Sequence, residues 1–120
     1  MDCITIKNMT FRGLHGHFPE ERRDGNDFEV DVTIWVPLQS ASRDDELGQT
    51  IDYSHAAGLV REVMEGPSVR LIETLLYRIG EQLATTFPEA HEIEVAIRKL
   101  HPPMNPSCEY TEVRSRWPRQ

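Results

Sequence analysis

The stretch DFEVDVTIWVP, residues 27–37, decides the fold because apolar and polar side chains alternate along it. One side of the extended chain is apolar throughout, with Phe28, Val30, Val32, Ile34 and Val36. The other side carries Glu29, Asp31, Thr33 and Trp35. This alternation predicts a β-strand with one buried face. Pro37 has no N–H group to donate to a neighbouring strand, so the strand stops there.

Three further segments are predicted to be strands. CITIKNMTF, residues 3–11, alternates with a slip of register between Ile6 and Met9. EIEVAIRK, residues 92–99, places Ile93, Val95 and Ile97 on one side. CEYTEVRSR, residues 108–116, is a more polar last strand. Each segment is short and bounded by turn residues, as strands are.

Two segments between the second and third strands have the spacing of helices. VRLIETLLYRIGEQL, residues 69–83, repeats apolar residues along one helical face: Leu71, Ile72, Leu75, Leu76, Ile79 and Leu83. Ser68 is the predicted cap of this helix, which runs to about Phe87–Pro88. Before it, Ser54 is predicted to cap a helix whose inner face is Ala56, Leu59, Val60, Val63 and Met64.

The order strand-strand-helix-helix-strand-strand predicts a single α+β domain over residues 1–120, with helices on one face of a sheet. The opposite face carries charged side chains near Trp35 and Tyr110. An antiparallel sheet with a solvated face explains this pattern. The alternative is a sheet that joins its neighbours edge to edge, which closes a barrel around a polar lumen.

Composition excludes several classes of partner. The net charge of −7 and the absence of a basic stripe argue against nucleic acid. No apolar run is long enough for a membrane helix, and the first residues do not resemble a secretory signal. Cys3 and Cys108 are expected to be free thiols rather than a disulfide. These features favour a soluble cytoplasmic protein.

Four ionisable or aromatic residues are candidates for chemistry, and each has a simpler explanation. Glu73 lies just off the apolar stripe, where a carboxylate near a helix N-terminus is favourable in any case. Lys99 ends a strand shortly before two prolines. It is either a general base or an ordinary solvated lysine. Tyr53 can be an apolar lid. Glu21, beside Glu20 in a long loop, can be a solvated charge, although long ordered loops are usually functional.

The pair His15 and His17 suggests zinc, but a metal site needs a third ligand. His55, His91 and His101 do not fall into a recognised spacing with this pair. The sequence also lacks a glycine-rich phosphate loop and a pattern indicating a Ser-His-Asp triad. We therefore predict neither a metal nor a cofactor.

Together, four motifs resemble the dihydroneopterin aldolases of folate biosynthesis. They are GLHGHFPEER followed by DGNDFEVDVTI, then DDELGQTIDYS, then RLIETL, then the strand ending in RKLHPP, and they cover about Ile4 to Pro103 in order. The resemblance implies a tunnelling fold, with a four-stranded antiparallel sheet and two helices on one face. It also implies that four subunits close a barrel, that two rings form a homo-octamer, and that active sites lie between subunits.

The resemblance also implies roles for particular residues. Glu73 would hold the 2-amino group and N3 of a pterin by two charge-assisted hydrogen bonds. The backbones of Ile72 and of Ile51 from the adjoining subunit would complete the contacts with the ring. Tyr53 would cover the pterin and assist proton delivery.

The remaining two roles concern the reaction. Glu21 would face the trihydroxypropyl tail, and Lys99 would be the main acid–base residue. A 7,8-dihydropterin has a C=N bond beside its tail and serves as its own electron sink, so cleavage to 6-hydroxymethyl-7,8-dihydropterin and glycolaldehyde would need neither a metal nor a lysine imine.

Other functions are compatible with the same fold. A zinc-dependent pterin synthase also carries HGH, but there the motif leads directly into the strand. An epimerase of dihydroneopterin triphosphate should need more basic residues around the tail, and a non-catalytic ring scaffold has no use for Glu73, Tyr53 and Lys99 together. Pro106 and Glu112 depart from the family pattern in the last segment, which bears on the balance between cleavage and epimerisation of the tail.

Overall fold

The computed structural model of the protein describes residues 1–119. Its four strands are β1 (Cys3–Gly13), β2 (Asn26–Trp35), β3 (Glu92–Lys99) and β4 (Thr111–Trp117). Its α-helices are α1 (Pro19–Asp24), α2 (Gln39–Asp44), α3 (Tyr53–Met64) and α4 (Ile72–Thr86), and a 3₁₀ turn spans Leu47–Gln49. The strands form one antiparallel sheet in the order β1-β2-β3-β4. Within this described range, no helix combines the length and apolar character needed to cross a membrane.

The core lies between one face of the sheet and the two long helices, as the alternation predicts. The inward side chains of β2 are completely buried: Phe28, Val30, Val32 and Ile34. Helices α3 and α4 cover them with Val60, Met64, Leu75, Ile79 and Leu83. The predicted α+β class and the antiparallel sheet are therefore confirmed.

The slip of register predicted in the first strand is a real irregularity. The pairing of β1 with β2 shifts between Ile6 and Met9. Asn8, inside the slip, has a φ of 58°, and its N–H donates to Asp31 Oδ1 at 2.7 Å. Because asparagine tolerates the left-handed conformation, the chain accommodates the extra residue here and restores the apolar face beyond it.

Two segments predicted as irregular contain short helices. The loop between β1 and β2 contains α1, which begins with Pro19 in its first turn and is followed by Gly25 with a φ of 86°. Proline suits the first turn of a helix, and glycine suits a positive φ at its end. The polar connection after β2 contains α2 and the 3₁₀ turn, neither of which buries a residue. An exposed helix of this length has no apolar stripe that a sequence could display.

Both predicted helix caps are wrong. Helix α3 is capped by Asp52, whose Oδ1 accepts a hydrogen bond from Ser54 N at 2.9 Å, so Ser54 already belongs to the helix. Helix α4 begins at Ile72, four residues after the predicted cap, and Ser68 Oγ donates to the carbonyl oxygen of Leu14 instead. The backbone of Val69 is bonded to the loop after β1 and cannot join the helix.

The last strand begins later than predicted. β4 starts at Thr111, the partner of Lys99 in β3, so Cys108 and Tyr110 precede the strand. Three prolines, at 102, 103 and 106, lie between the two strands, and a proline has no N–H group to donate to a neighbouring strand. Cys3 and Cys108 are free and exposed in the described chain, which agrees with the prediction of free thiols.

The sheet face opposite the helices is polar, and Arg98 lies at its centre. Its guanidinium, in a side chain only 8% exposed, forms ion pairs with Asp31 at 2.9 Å and with Glu29 and Glu112 at 3.0 Å. It also donates to Asn8 Oδ1 at 2.7 Å. The hydrogen bond to Asp31 raises the pKa of Arg98, and Arg98 lowers the pKa of Asp31. This face is therefore an ordered ionic surface rather than a set of loose solvated charges.

Candidate functional site

A shielded ion pair joins the end of β3 to the short helix α1. Lys99 Nζ lies 2.9 Å from Glu21 Oε2, and the two side chains are 13% and 7% exposed. Charged side chains are seldom shielded from solvent to this extent unless they are paired, and here each one is the other's partner. Glu21 and Lys99, distant in sequence, are thus brought together by the fold.

Glu21 is held by its own loop. Phe18 N donates to Glu21 Oε1 at 3.4 Å, so the carboxylate satisfies a free N–H at the start of α1. Arg22 Nη1 donates to the carbonyl oxygens of Gly16 at 2.9 Å and His17 at 2.6 Å, which pins the preceding loop. Gly16 has a φ of 157°, and a Cβ atom there would lie 2.4 Å from Glu21 Cδ. Only glycine leaves room for the carboxylate.

Asn26, the first residue of β2, connects Glu21 to the segment after Lys99, and the sequence did not predict this contact. Its Nδ2 donates to the carbonyl oxygen of His101 at 2.8 Å and lies 3.5 Å from Glu21 Oε2. Leu100 N donates to Asp27 O at 3.0 Å, which fixes the backbone just after Lys99. The only sequence signal for Asn26 was its place in the turn DGN, which does not indicate burial.

The electrostatics keep Glu21 ionised. Burial alone would raise the pKa of its carboxyl, but the hydrogen bond and the charge of Lys99 act in the opposite direction. Hydrogen bonds from Phe18 N–H and from Asn26 add to that effect, and the net result is a pKa below the ordinary value of 4.5. Near neutral pH Glu21 is therefore a carboxylate.

An open cavity of about 340 Å³ adjoins Glu21, lined by Arg12, Glu20, Glu21, Asp24, Gly25, Asn26, His101 and Pro103. Its one guanidinium is already engaged, because Arg12 bonds to Asp27 Oδ1 and to Asp24 O, both at 3.0 Å. The other charged groups are mainly carboxylates. The cavity suits a neutral polar ligand better than a phosphorylated one.

The remaining predicted residues lie on two other parts of the molecule. At the start of α4, Ile72 is buried and Glu73 is exposed. At the start of α3, Ile51 is buried and Tyr53 is 60% exposed. Among residues 1–119, Glu73 and Tyr53 have no side-chain hydrogen bond or ion pair, to each other or to the Glu21–Lys99 pair. Within the described part of one subunit, these side chains are therefore not joined to the pair by hydrogen bonds or ion pairs.

The two histidines of HGH do not share a ligand position. His15 is fully buried, and both its ring nitrogens lie within hydrogen-bond distance of backbone groups of Met64 and Val69. His17 is exposed and packs edge-on against Phe18. In the part of the chain that the structure describes, no three His, Cys, Asp or Glu residues form a group that could hold a metal ion.

The fold defines a class of α+β proteins that includes solved pterin enzymes. Dihydroneopterin aldolase from Escherichia coli, in complex with neopterin, superimposes with a TM-score of 0.88 over 98% of this chain and 99% of its own, at 18% identity. The enzyme from a Burkholderia species, bound to guanine, superimposes with a TM-score of 0.76 over 99% and 92%, at 19% identity. At these identities the likeness establishes the fold, and the predicted tunnelling fold is confirmed.

Sequence comparison is more specific. The dihydroneopterin aldolase (FolB) family model matches residues 4–116. Dihydroneopterin aldolase from Streptococcus pyogenes is 42% identical over 104 residues, which cover 87% of each chain. The protein belongs to the dihydroneopterin aldolase family.

Proposed function

We propose that the protein cleaves the side chain of 7,8-dihydroneopterin, releasing 6-hydroxymethyl-7,8-dihydropterin and glycolaldehyde. The observation that carries this proposal is the Lys99–Glu21 ion pair at 2.9 Å, shielded from solvent beside a cavity, in a chain of this family. A polyhydroxylated neutral tail fits that cavity, because its hydroxyl groups can donate to the carboxylates that line it.

The reaction requires only proton transfers. A proton leaves a hydroxyl of the tail, the adjoining C–C bond breaks, and its electron pair enters the C=N bond of the dihydropterin ring. A proton must then be returned to the carbon that remains on the ring. In the proposed mechanism Lys99 exchanges these protons, and the ionised Glu21 accepts a hydrogen bond from the tail and holds the Lys99 amine in position.

The pterin ring needs a separate binding group, and Glu73 is suited to it. Its carboxylate is exposed and unpaired in the described chain, so it is available to two N–H donors on one edge of a flat heterocycle. The E. coli and Burkholderia relatives bind neopterin and guanine, which present the same edge of a 2-amino-4-oxopyrimidine. The backbones of Ile72 and Ile51 complete the contacts with the ring, and Tyr53 covers it.

We infer that the complete site forms between subunits of a homo-oligomer. Glu73 and Tyr53 lie at the starts of different helices, and within residues 1–119 neither side chain has a hydrogen bond or ion pair with the Glu21–Lys99 pair. Tyr53, 60% exposed, is a large aromatic side chain for which an adjoining subunit provides a partner. Rings of four subunits, closed through the sheet edges and stacked in pairs as an octamer, would bring the groups together.

The mechanism does not call for a metal or for an imine on Lys99. The substrate's own C=N bond accepts the electrons, so an imine with Lys99 is not required as an electron sink. Incubation with a chelator and trapping with borohydride address these two points separately. Neither treatment should reduce turnover.

The deciding experiment is incubation of the purified protein with 7,8-dihydroneopterin, followed by assay of glycolaldehyde and of the pterin products. We expect stoichiometric release of both products, with or without chelator. The triphosphate of the same compound serves as the comparison, and it should react poorly because of the carboxylates around the cavity. Absence of glycolaldehyde, or a product that is only an epimer of the substrate, would contradict the proposed function.

A further inference from the structure

The imidazole of His15 is fully buried, and the chemistry of its partners fixes its protonation. Nε2 lies 2.8 Å from the carbonyl oxygen of Met64, and Nδ1 lies 3.2 Å from the backbone nitrogen of Val69. A carbonyl oxygen only accepts a hydrogen bond, and a backbone N–H only donates one. Nε2 therefore carries the proton and Nδ1 accepts, so His15 is neutral and in a single tautomer.

The two partners of His15 belong to different parts of the fold. Met64 is the last residue of α3, and Val69 lies in the connection that leads into α4. The residues on either side of His15 make parallel contacts: Gly16 N donates to Val69 O at 3.0 Å, and the hydroxyl of Ser68 donates to Leu14 O. His15 and Gly16 thus hold both backbone groups of Val69, and Leu14 holds the neighbouring Ser68.

The ring of His15 is also fixed by packing. Its centroid lies 5.8 Å from that of Phe28 in an edge-on contact. A Cβ atom added to Gly13 would lie 2.6 Å from His15 Cδ2, so the chain before the histidine passes directly against the ring. A side chain confined on both sides transmits its position to the groups it binds.

These contacts lie between two groups of the proposed site. Glu73 is the second residue of α4, and Leu71 at the N-cap provides no side-chain cap, so the preceding residues determine where the helix starts. On the other side, the carbonyl of Gly16 accepts from Arg22, and Gly16 passes against Glu21. We propose that His15 is a positioning residue that sets Glu73 relative to the Glu21–Lys99 pair through its bond to Val69.

The inference rests on the proposed function for the role of Glu73, and two substitutions separate the two hydrogen bonds of His15. In His15→Asn, the amide oxygen takes the place of Nδ1 and can still accept from Val69, but the side chain does not reach Met64. In His15→Gln, the amide N–H reaches Met64, and Val69 loses its acceptor. A residue that served stability alone would need both bonds equally, whereas a positioning role depends on the bond to Val69.

For His15→Gln we expect the KM for 7,8-dihydroneopterin and the Kd for neopterin to rise by at least about tenfold, with kcat within about threefold of the unsubstituted protein. His15→Asn should return KM to within about threefold. Leu83→Ala is the matched control, because Leu83 is fully buried in the last turn of the same helix and lies far from Glu73. It should lower Tm without changing KM.

Two results would overturn the positioning role. One is an equal rise in KM for His15→Gln and His15→Asn, and the other is a change in His15→Gln no larger than that in Leu83→Ala. Deuterium uptake by the peptide covering residues 66–76 provides a readout that needs no substrate. We expect faster uptake in His15→Gln than in the other two variants, and equal uptake in all three would refute the role of His15 even if the protein had no aldolase activity.

Discussion

Lys99 Nζ and Glu21 Oε2 lie 2.9 Å apart, in side chains that are almost entirely covered, although the residues come from the end of β3 and from the helix between β1 and β2. In the proposed function the pair contributes to the chemistry, and we expect it to contribute to the stability of the fold as well. These two contributions respond differently to pH and to substitution, which makes them separable by experiment.

The stabilisation provided by Glu21 should depend on pH in a defined direction. Lys99 and the other donors lower the pKa of Glu21 below its ordinary value of 4.5, against the opposing effect of burial. The unfolded chain therefore binds a proton at a higher pH than the folded one does, and the stabilisation is complete above about pH 4.5. It is lost as the pH falls through the folded-state pKa.

Urea unfolding at fixed protein concentration checks this dependence. The difference in unfolding free energy between the unsubstituted protein and Glu21→Gln should be largest near neutral pH and shrink below about pH 4. Comparison of these two proteins isolates Glu21 from Asp31 and Glu112, whose pKa values are also lowered. Glu20→Gln, at an exposed neighbouring position, is the control. A difference that did not change with pH would show that ionisation of Glu21 does not contribute to the free energy of unfolding.

Glu73→Gln tests the proposed recognition of the pterin ring. The substitution keeps the shape of the side chain and replaces one carboxylate oxygen with an NH₂ group that faces another donor. Loss of a charge-assisted hydrogen bond, with a donor left unsatisfied, should weaken neopterin binding by about 2–4 kcal/mol. Calorimetry measures this loss directly. Glu81 is exposed on the same helix, so Glu81→Gln is the control and should bind neopterin normally. Equal affinities in the unsubstituted protein, Glu73→Gln and Glu81→Gln would show that Glu73 does not bind the pterin ring.

Prediction from the sequence succeeded where the pattern was local. The bounds of β3, Glu92–Lys99, were predicted to the residue, because its alternation is unbroken and turns flank it on both sides. The slip between Ile6 and Met9 was visible for the same reason. The start of α4 was mispredicted, because Val69 is held by His15, a residue 54 positions earlier in the chain. No local pattern encodes such a bond.

The site shows the same division. Lys99 and Glu21 were candidates from the sequence, but their residue types alone did not favour a functional role over a solvated one. Their pairing is flanked by Asn26, whose Nδ2 reaches Glu21 and also the carbonyl of His101, 75 positions further along the sequence. The roles assigned to Glu73, Tyr53, Ile72 and Ile51 came from resemblance to a family. Those roles stay predictions, since no contact within one subunit tests them.

Gly80 and Trp117 provide a test of the packing that holds β4 on α4. A Cβ atom added to Gly80 would lie 2.1 Å from Trp117 Cζ2, whereas one added to Gly58 in α3 would meet no atom within 4 Å. Alanine is favoured over glycine in a helix by about 1 kcal/mol, so Gly58→Ala should be neutral or stabilising. Gly80→Ala should lose about 1–3 kcal/mol because the buried indole must move.

Chemical unfolding of these two variants gives the comparison, and Trp117→Leu completes a double-mutant cycle. With the indole absent, Gly80→Ala should cost at least about 1 kcal/mol less than it does in its presence. Equal costs with and without the indole would mean that Gly80 is not confined by Trp117.

Substitution of Lys99 separates its structural role from its proposed chemical one. Lys99→Ala leaves Glu21 covered without its partner, so we expect a loss of about 2–4 kcal/mol in unfolding free energy. Turnover should fall by at least about 10²-fold, as is usual when a general acid–base group is lost. The affinity for neopterin should change by less than about tenfold, because Glu73 still holds the ring.

Lys99→Arg is the informative counterpart, because a guanidinium can keep the ion pair with Glu21 but does not give up its proton. This variant should recover much of the stability lost in Lys99→Ala and little of the turnover. Steady-state kinetics, calorimetry with neopterin and urea unfolding on the same preparations provide the three measurements. If turnover returned together with stability in Lys99→Arg, or if Lys99→Ala lost pterin binding and activity together, Lys99 would be a structural or binding residue, and the proton transfers would have to be assigned to another group.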